Sequence, residues 1–360
     1  MDLRLQDEGF GHERLHVFRD PATGVTGAIA IHSTALGPAM GGLRLFAYPG
    51  LDEAIGDVLD LARAMSFKNA AAGLELGGGK AVIVDDGRWG DEDLRTERMR
   101  VVGETIESLG GRYVTAEDVG TTPADMDAIS AVTRHVAGGT AATGGSGDPS
   151  PFTARTVLAA IEAGVRVRLR RDSLAGCRVG VQGVGHVGAA LVELLCAAGA
   201  EVFITDADPR RCLEIAELHG ATPLPSEDFL FGDFEVLAPC AMGGAIGLME
   251  ADRLGASVVA GAANNPLRDR DVAVRLASRG VLFVPDFIAN AGGIIHVGAE
   301  VLDLSPERVD ELLTEAGARA GEILRIAAET RRLPLVVAEQ FALERLTAPR
   351  AVSPPPKASV

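Results

Sequence analysis

Apolar residues recur along the chain with two alternating periods, and the alternation predicts an α/β protein. Residues 25–32 and 41–46 are short apolar runs of strand character. Leu51, Ala54, Ile55, Val58, Leu59, Ala62 and Met65 fall at helical spacing, which predicts a helix over 51–66 with Lys68 just beyond it. Residues 81–84 read as a buried strand, 91–109 as a helix and 112–115 as a further strand. The triplet Gly77-Gly78-Gly79 reads as a tight bend that brings backbone close to a ligand. A Gly/Ser/Thr/Pro-rich stretch at 138–151 reads as a hinge, followed by a helix over 153–163. Then come a strand at 178–182, a helix at 189–198 and a strand at 201–205. Strand-like runs follow at 234–237, 257–260 and 281–284, and helical patterns at 306–330 and 337–346.

Composition narrows the function classes. Over 360 residues the formal net charge is −16, which argues against a phosphate-backbone partner, and aromatics at 4% argue against a stacking platform for single strands. No apolar run reaches the length of a membrane span. Residues 1–10 are acidic and polar, unlike a signal peptide. The four cysteines form no C-x-x-C pair, so a cytoplasmic protein without disulfides is expected. Of 34 basic residues only three are lysine: Lys68, Lys80 and Lys357. Where a plain positive charge suffices this chain uses arginine, which never loses its proton; lysine does when buried. Lys68 and Lys80 both sit in apolar, glycine-rich surroundings, whereas Lys357 lies in the polar tail.

Four motifs carry chemistry or imitate it. Gly183-Val184-Gly185-His186-Val187-Gly188 stands between a strand and a helix, and Asp206 ends the next strand. That context makes the glycines a dinucleotide fingerprint: a tight turn, a close approach to pyrophosphate, and close helix packing. Asp206 favours NAD over NADP, since a carboxylate repels the extra phosphate. His12-Glu13-Arg14-Leu15-His16 matches a zinc-protease pattern, but the stretch reads as strand, so no metal is expected. Lys80 after three glycines fails as a phosphate loop, because Leu74 and Ala81 stand where Gly and Ser/Thr are required. Asp118, Asn264 and Asn290 each follow a strand-like run in turn-rich sequence, where ligands of α/β proteins bind.

Taken together, seven segments resemble the glutamate/leucine/phenylalanine/valine dehydrogenase family. They are LGPAMGGLR (36–44), MSFKNAAAGLELGGGKAVI (65–83), GGRYVTAEDVGTTPADMD (110–127), VQGVGHVG (181–188), APCAMGG (238–244), GAANNPL (261–267) and PDFIANAGG (285–293), in the family's order. The first half is most similar to the leucine and valine branch, and 236–300 is equally similar to phenylalanine enzymes. The resemblance implies a substrate domain over 1–145, rejoined by helices over about 330–350, and a Rossmann-type NAD-binding domain over 146–329. The cleft lies between them, and 351–360 is a disordered tail.

The resemblance implies reversible oxidative deamination of an L-amino acid to its 2-oxo acid and ammonia, with NAD as hydride acceptor, in a homo-oligomer. By match, Lys68 binds the substrate carboxylate with backbone at Gly41 and Gly42. Lys80 is the general base, and Asp118 moves the proton on the amino nitrogen. Met40, Ala116, Ile294 and Val297 line the side-chain pocket, and Met65 also binds substrate. Arg44, Thr153, Ala241, Asn264 and Asn290 touch cofactor or substrate. The two lysines are expected to crowd one another and so free Lys80 of its proton near neutrality. Burying a glutamate carboxylate against Met40 and Val297 is costly, so Leu, Val or Ile is expected. Flexible Met40 keeps phenylalanine open as the alternative, and a non-catalytic NAD-binding module is the remote one.

Overall fold

A computed structural model describes residues 11–348, so the expectations for residues 1–10, Lys357 and the 351–360 tail lie outside the described residues. Two six-stranded sheets organise the chain. The first contains β1 (Arg14–Arg19), β2 (Thr26–Ser33), β3 (Ala39–Met40), β4 (Leu43–Phe46), β5 (Gly77–Val84) and β6 (Tyr113–Val114). Its order is β1-β2-β5-β3-β6, with β4 also paired to β5. β1, β2 and β5 run antiparallel, whereas β3 and β4 lie parallel to β5.

Both faces of this sheet are covered, which is why β2 and β5 read as continuous runs rather than alternations. Helix α1 (Leu51–Ala72) packs Ala54, Val58 and Ala62 against Ala28, Ala30 and Val82. Helices α2 (Glu92–Glu107) and α3 (Pro123–Ser130) pack Met99, Ile106 and Ile129 against Ile29, Ile31 and Ile83. Small residues on one face and large ones on the other seat α1 close to the sheet. α1 runs on through Ala72, ending at Gly73 with φ 87°, so Lys68 lies on the helix rather than after it.

The glycine triplet corrects the sequence reading. Gly77, Gly78 and Gly79 are in-strand residues of β5, absent from the positive-φ set, and make no bend. What they permit is contact: a Cβ on Gly78 would stand 2.0 Å from the Ser66 nitrogen of α1, and one on Gly77 2.0 Å from the Ser33 carbonyl. The expected strand 41–46 is shortened to β4, with Gly41 and Gly42 outside it, between β3 and β4. His12 to His16 runs into β1, as expected for strand, and His12 Nε2 bonds the Leu59 carbonyl at 2.8 Å.

The second sheet is wholly parallel. It contains β7 (Arg178–Gln182), β8 (Glu201–Thr205), β9 (Thr222–Pro223), β10 (Val236–Pro239), β11 (Val258–Val259) and β12 (Leu282–Phe283), ordered β12-β11-β10-β7-β8-β9. The chain winds outward from β7 to β9, then returns to lay β10 on the other side of β7. That reversal is the switch point of a doubly wound Rossmann fold.

Helix α4 (Ser150–Leu169) leads into this unit, longer than the expected 153–163, and α5 (His186–Ala197) follows β7. Then come α6 (Pro209–His219), α7 (Leu248–Arg253), α8 (Arg270–Ser278), α9 (Asp286–Ala289), α10 (Gly292–Leu302), α11 (Pro306–Thr330) and α12 (Pro334–Thr347). α12 touches both units. Its Val337 and Ala338 join the second core, while Ala342 and Leu346 pack on Leu36 and Ala70. Arg345 donates to the Ala70 and Gly73 carbonyls at 2.7 and 2.9 Å, capping the C-terminus of α1. The 138–151 segment contains one short 3-10 turn, and the Glu300 carboxylate of α10 accepts from Gly138 and Ser146 N–H groups.

Candidate active site

Alternation along β5 places Gly78, Lys80 and Val82 on the face that α1 covers. Lys80 is 5% exposed, and its ammonium meets Asp118 Oδ2 at 2.8 Å. Asp118 follows β6 in a loop closed by its own N–H to Thr121 Oγ1 at 2.9 Å. The cap of α3 is Thr122, so Asp118 is not held as a capping residue. Gly42 makes the approach possible, since a Cβ there would stand 2.7 Å from the Asp118 Cβ. Gly41 is equally constrained: a Cβ would lie 1.9 Å from the Gly79 oxygen and 3.0 Å from Met65 Cγ.

Arg44 of β4 joins the Lys80–Asp118 pair. Its Nε donates to the same Asp118 oxygen at 3.0 Å, and its NH1 donates to Asp57 at 3.1 Å. Burial lowers the Lys80 pKa against the pull of Asp118, and Arg44 is the cation that adds to the lowering. Burial alone would raise the Asp118 carboxyl; Lys80 and Arg44 outweigh it and hold the group below its ordinary value. Burial also pushes Lys68 down to about 8, opposed by Asp286 and aided by the Lys80 charge. The expected crowding therefore takes a different form: the Lys80 charge lowers Lys68, and the cation that lowers Lys80 is Arg44 rather than Lys68.

Lys68 reaches across from α1 to the second unit, its Nζ 3.4 Å from Asn264 Oδ1. Asn290 donates to that same oxygen at 2.9 Å and to the Ala262 carbonyl at 3.1 Å. Asp286 accepts from the Asn265 N–H at 2.8 Å, pinning a residue whose φ is 48°. An ammonium, two amides and the Lys80–Asp118 pair thus lie near one another where α1 meets the second unit.

Met40 and Ala116 belong to one apolar cluster, and half-buried Phe152, Ile294 and Val297 pack against it. Met40, Ala116, Ile294 and Val297 thus share one apolar cluster, which does not include Met65. Phe152 carried no signal in the sequence. Its ring stacks on His296 at 4.0 Å, and His296 Nε2 lies 3.0 Å from the Ser146 carbonyl oxygen. Thr153 Oγ1 donates to the Pro149 carbonyl at 3.1 Å, at the start of α4.

The glycine fingerprint forms a cradle. Gly183 has φ 93°, and a Cβ on it would strike Ala241 at 2.8 Å. A Cβ on Gly188 would stand 2.0 Å from the Gly183 oxygen, so this glycine allows close helix packing. At Gly185 nothing lies within 4 Å, so that side is open to a ligand. α5 begins at His186, followed by Val187, with no side-chain cap, which leaves its N–H groups for phosphate. Asp206 Oδ2 accepts from the Val184 N–H at 2.8 Å, placing the carboxylate against the turn. Among the described residues nothing donates to buried Asn290 Oδ1, which suits an N–H of a bound ligand. These residues fit a pyridine dinucleotide.

The chemistry of this site is that of an α/β dehydrogenase, and comparison with known proteins defines the class further. Residues 12–135 match the Glu/Leu/Phe/Val dehydrogenase dimerisation domain, and 205–347 match Glutamate/Leucine/Phenylalanine/Valine dehydrogenase. Leucine dehydrogenase of Bacillus subtilis strain 168 is 39% identical over 346 residues, covering 96% of this chain and 94% of that protein. Valine dehydrogenase of Streptomyces virginiae is 41% identical over 345 residues, covering 95% of each. The crystal structure of L-tryptophan dehydrogenase from Nostoc punctiforme superposes with TM-score 0.83 at 34% identity, covering 93% of this chain and 96% of that one. The chain belongs to the Glu/Leu/Phe/Val dehydrogenase family. It is an oxidoreductase that acts on amino acids.

Proposed function

We propose that the protein catalyses NAD-dependent, reversible oxidative deamination of Leu, Val or Ile to the 2-oxo acid and ammonia. The observation that carries this reading is the pair of buried Lys80 and half-buried Asp118 at 2.8 Å, together with an apolar cluster that includes fully buried Met40. Lys68 binds the substrate carboxylate, whose charge would hold the Lys68 proton in place. Asp118 takes a proton from the amino nitrogen and stabilises the iminium charge that develops there as the Cα–H bond breaks. Lys80 then removes a proton from water as its oxygen attacks the C=N carbon; Asp118 returns its proton to the nitrogen, and ammonia leaves as the C–N bond breaks, the C=O bond forms and the hydroxyl proton is lost to solvent. When bound, NAD supplies the hydride acceptor. Closing the cleft excludes bulk water until the imine has formed.

NADH formation at alkaline pH with Leu, Val, Ile, Phe and Glu in parallel tests the reading. We expect kcat/KM at least ~10-fold higher for the aliphatic substrates than for Phe, because misfit by a few methylenes costs roughly 1–3 kcal/mol. Ile294 and Val297 are β-branched and stiff, so they do not fold away from a phenyl ring. Val297→Ala should raise activity on Phe relative to Val, and Met40→Lys should impair Leu. Preference for Phe by the wild type would promote the aromatic alternative, which the 34% identical L-tryptophan dehydrogenase favours.

NAD is preferred over NADP because Asp206 stands at the fingerprint turn. Asp206→Ser should weaken NAD and relax the discrimination, by about 1–3 kcal/mol as for a charged hydrogen bond. Steady-state kinetics with both cofactors decide this, and equal use of the two by the wild type sinks it. A homo-oligomer accords with the dimerisation-domain match over 12–135. A cytoplasmic setting accords with the four free cysteines. Among the described residues no helix is long and apolar enough to cross a membrane.

A further inference from the structure

One row of polar groups runs outward from the Lys80–Asp118 pair. Asp118 Oδ2 takes Lys80 at 2.8 Å and Arg44 Nε at 3.0 Å. The far end of the guanidinium donates from NH1 to Asp57 Oδ2 at 3.1 Å, and the Tyr48 hydroxyl donates to that same oxygen at 2.5 Å. Arg44 and Asp57 are both half-buried, and three elements contribute: Arg44 from β4, Asp57 from α1, and Tyr48 from the loop between them. The planar guanidinium has rigid donor directions, so anchoring one end fixes where the other points.

We propose that Arg44 is a positioning residue of the active site: held by Asp57, which Tyr48 holds in turn, it fixes the orientation and charge of the Asp118 carboxylate. This rests on the reading of Lys80 and Asp118 as the proton-handling pair. It replaces a cofactor contact for Arg44 with a role in tuning that pair. Arginine suits the task because it remains charged at every working pH.

Several groups bear on the pair. Lys80 comes from β5, Arg44 from β4 and Tyr113 from β6. Asp57 and Lys68 face it from α1, and Asp286 of α9 acts on Lys68. Glu117, next to Asp118, feels Asp148. Burial lowers the Lys80 pKa; Arg44 lowers it further and Asp57 raises it. The signs at Asp118 are the same, since a nearby cation favours the carboxylate and a nearby anion disfavours it. The direction of a pH shift therefore does not depend on which of the two groups the acid limb reports.

Two substitutions should move that limb in opposite directions. Arg44→Met removes the cation, so the acid limb of kcat/KM for deamination should rise by about one pH unit. KM for NAD should be unchanged, and Arg44→Lys should restore part of the shift. Asp57→Asn keeps an amide oxygen for both donors but removes the anion, so the limb should fall by about half a unit. The Asp57→Asn variant retains the packing, which keeps the test available if Arg44→Met does not fold. An unmoved limb in both variants, or a rise in KM for NAD in Arg44→Met, overturns the proposal. If Lys80→Ala and Asp118→Asn keep activity, the underlying reading fails instead. If they abolish it while the limb stays fixed in the other variants, only the role of Arg44 fails.

Discussion

Lys80→Ala is expected to lower kcat for deamination by at least ~10³-fold while leaving NADH affinity near the wild-type value. The loss falls on kcat because a general base works in the transition state, and the Lys80 ammonium contacts Asp118 rather than the dinucleotide cradle. Lys80→Arg should be no better. Arginine restores the ion pair with Asp118 but does not surrender its proton, so charge without basicity returns. Burial lowers the Lys80 pKa from the ordinary lysine range. The deamination rate of the wild type should therefore rise with pH as that proton leaves, and the rise should vanish in both variants. Initial rates across pH, with NADH binding followed by fluorescence, provide the check. A Lys80→Ala enzyme that keeps more than about a tenth of kcat removes Lys80 from the base role.

Much of this site was legible because the chain is sparing with lysine. Against a background of arginine, two lysines in glycine-rich, apolar sequence stand out, and the structure brings both within electrostatic reach of Asp118. The fingerprint was legible because its glycines have separate physical roles, each visible in the environment of its missing Cβ. The row from Arg44 through Asp57 to Tyr48 left no sequence signal. Asp57 reads as one more polar position on the outer face of α1, and only folding lays that face across β4. The end of α1 was misjudged because apolar spacing stops at Met65, whereas Asn69 to Ala72 continue the helix with little propensity cost until Gly73. Helices α6, α8 and α10 are only 11, 9 and 11 residues long, which leaves about three turns each in which a period can show. The glycine triplet was misread because turns and close packing draw on the same residue. The φ values and the distance to α1 separate the two uses.

That distinction predicts opposite effects of one substitution at two glycines in contact with α1 or part of it. Gly78→Ala should destabilise strongly, because the new Cβ would lie 2.0 Å from the Ser66 nitrogen and 2.4 Å from its Cα. Both are backbone atoms, so no side-chain rotation relieves the clash. The helix must lift from β5, where Val58 and Ala62 lie fully buried against Ala28, Ala30 and Val82. We expect a loss of at least ~3 kcal/mol, the upper range for overpacking in a well-filled interior. The apparent Tm should fall by at least ~6 °C. Gly56, exposed on the same helix, has nothing within 4 Å of its would-be Cβ. Gly56→Ala there should stabilise by about 0.5–1 kcal/mol through helix propensity alone. Lifting α1 also moves Lys68, two residues beyond Ser66, away from Asn264. Any folded Gly78→Ala enzyme should therefore show a raised KM for the amino acid. Thermal unfolding followed by circular dichroism measures the stability change, and a Gly78→Ala protein with wild-type Tm would mean that α1 does not sit this close to β5.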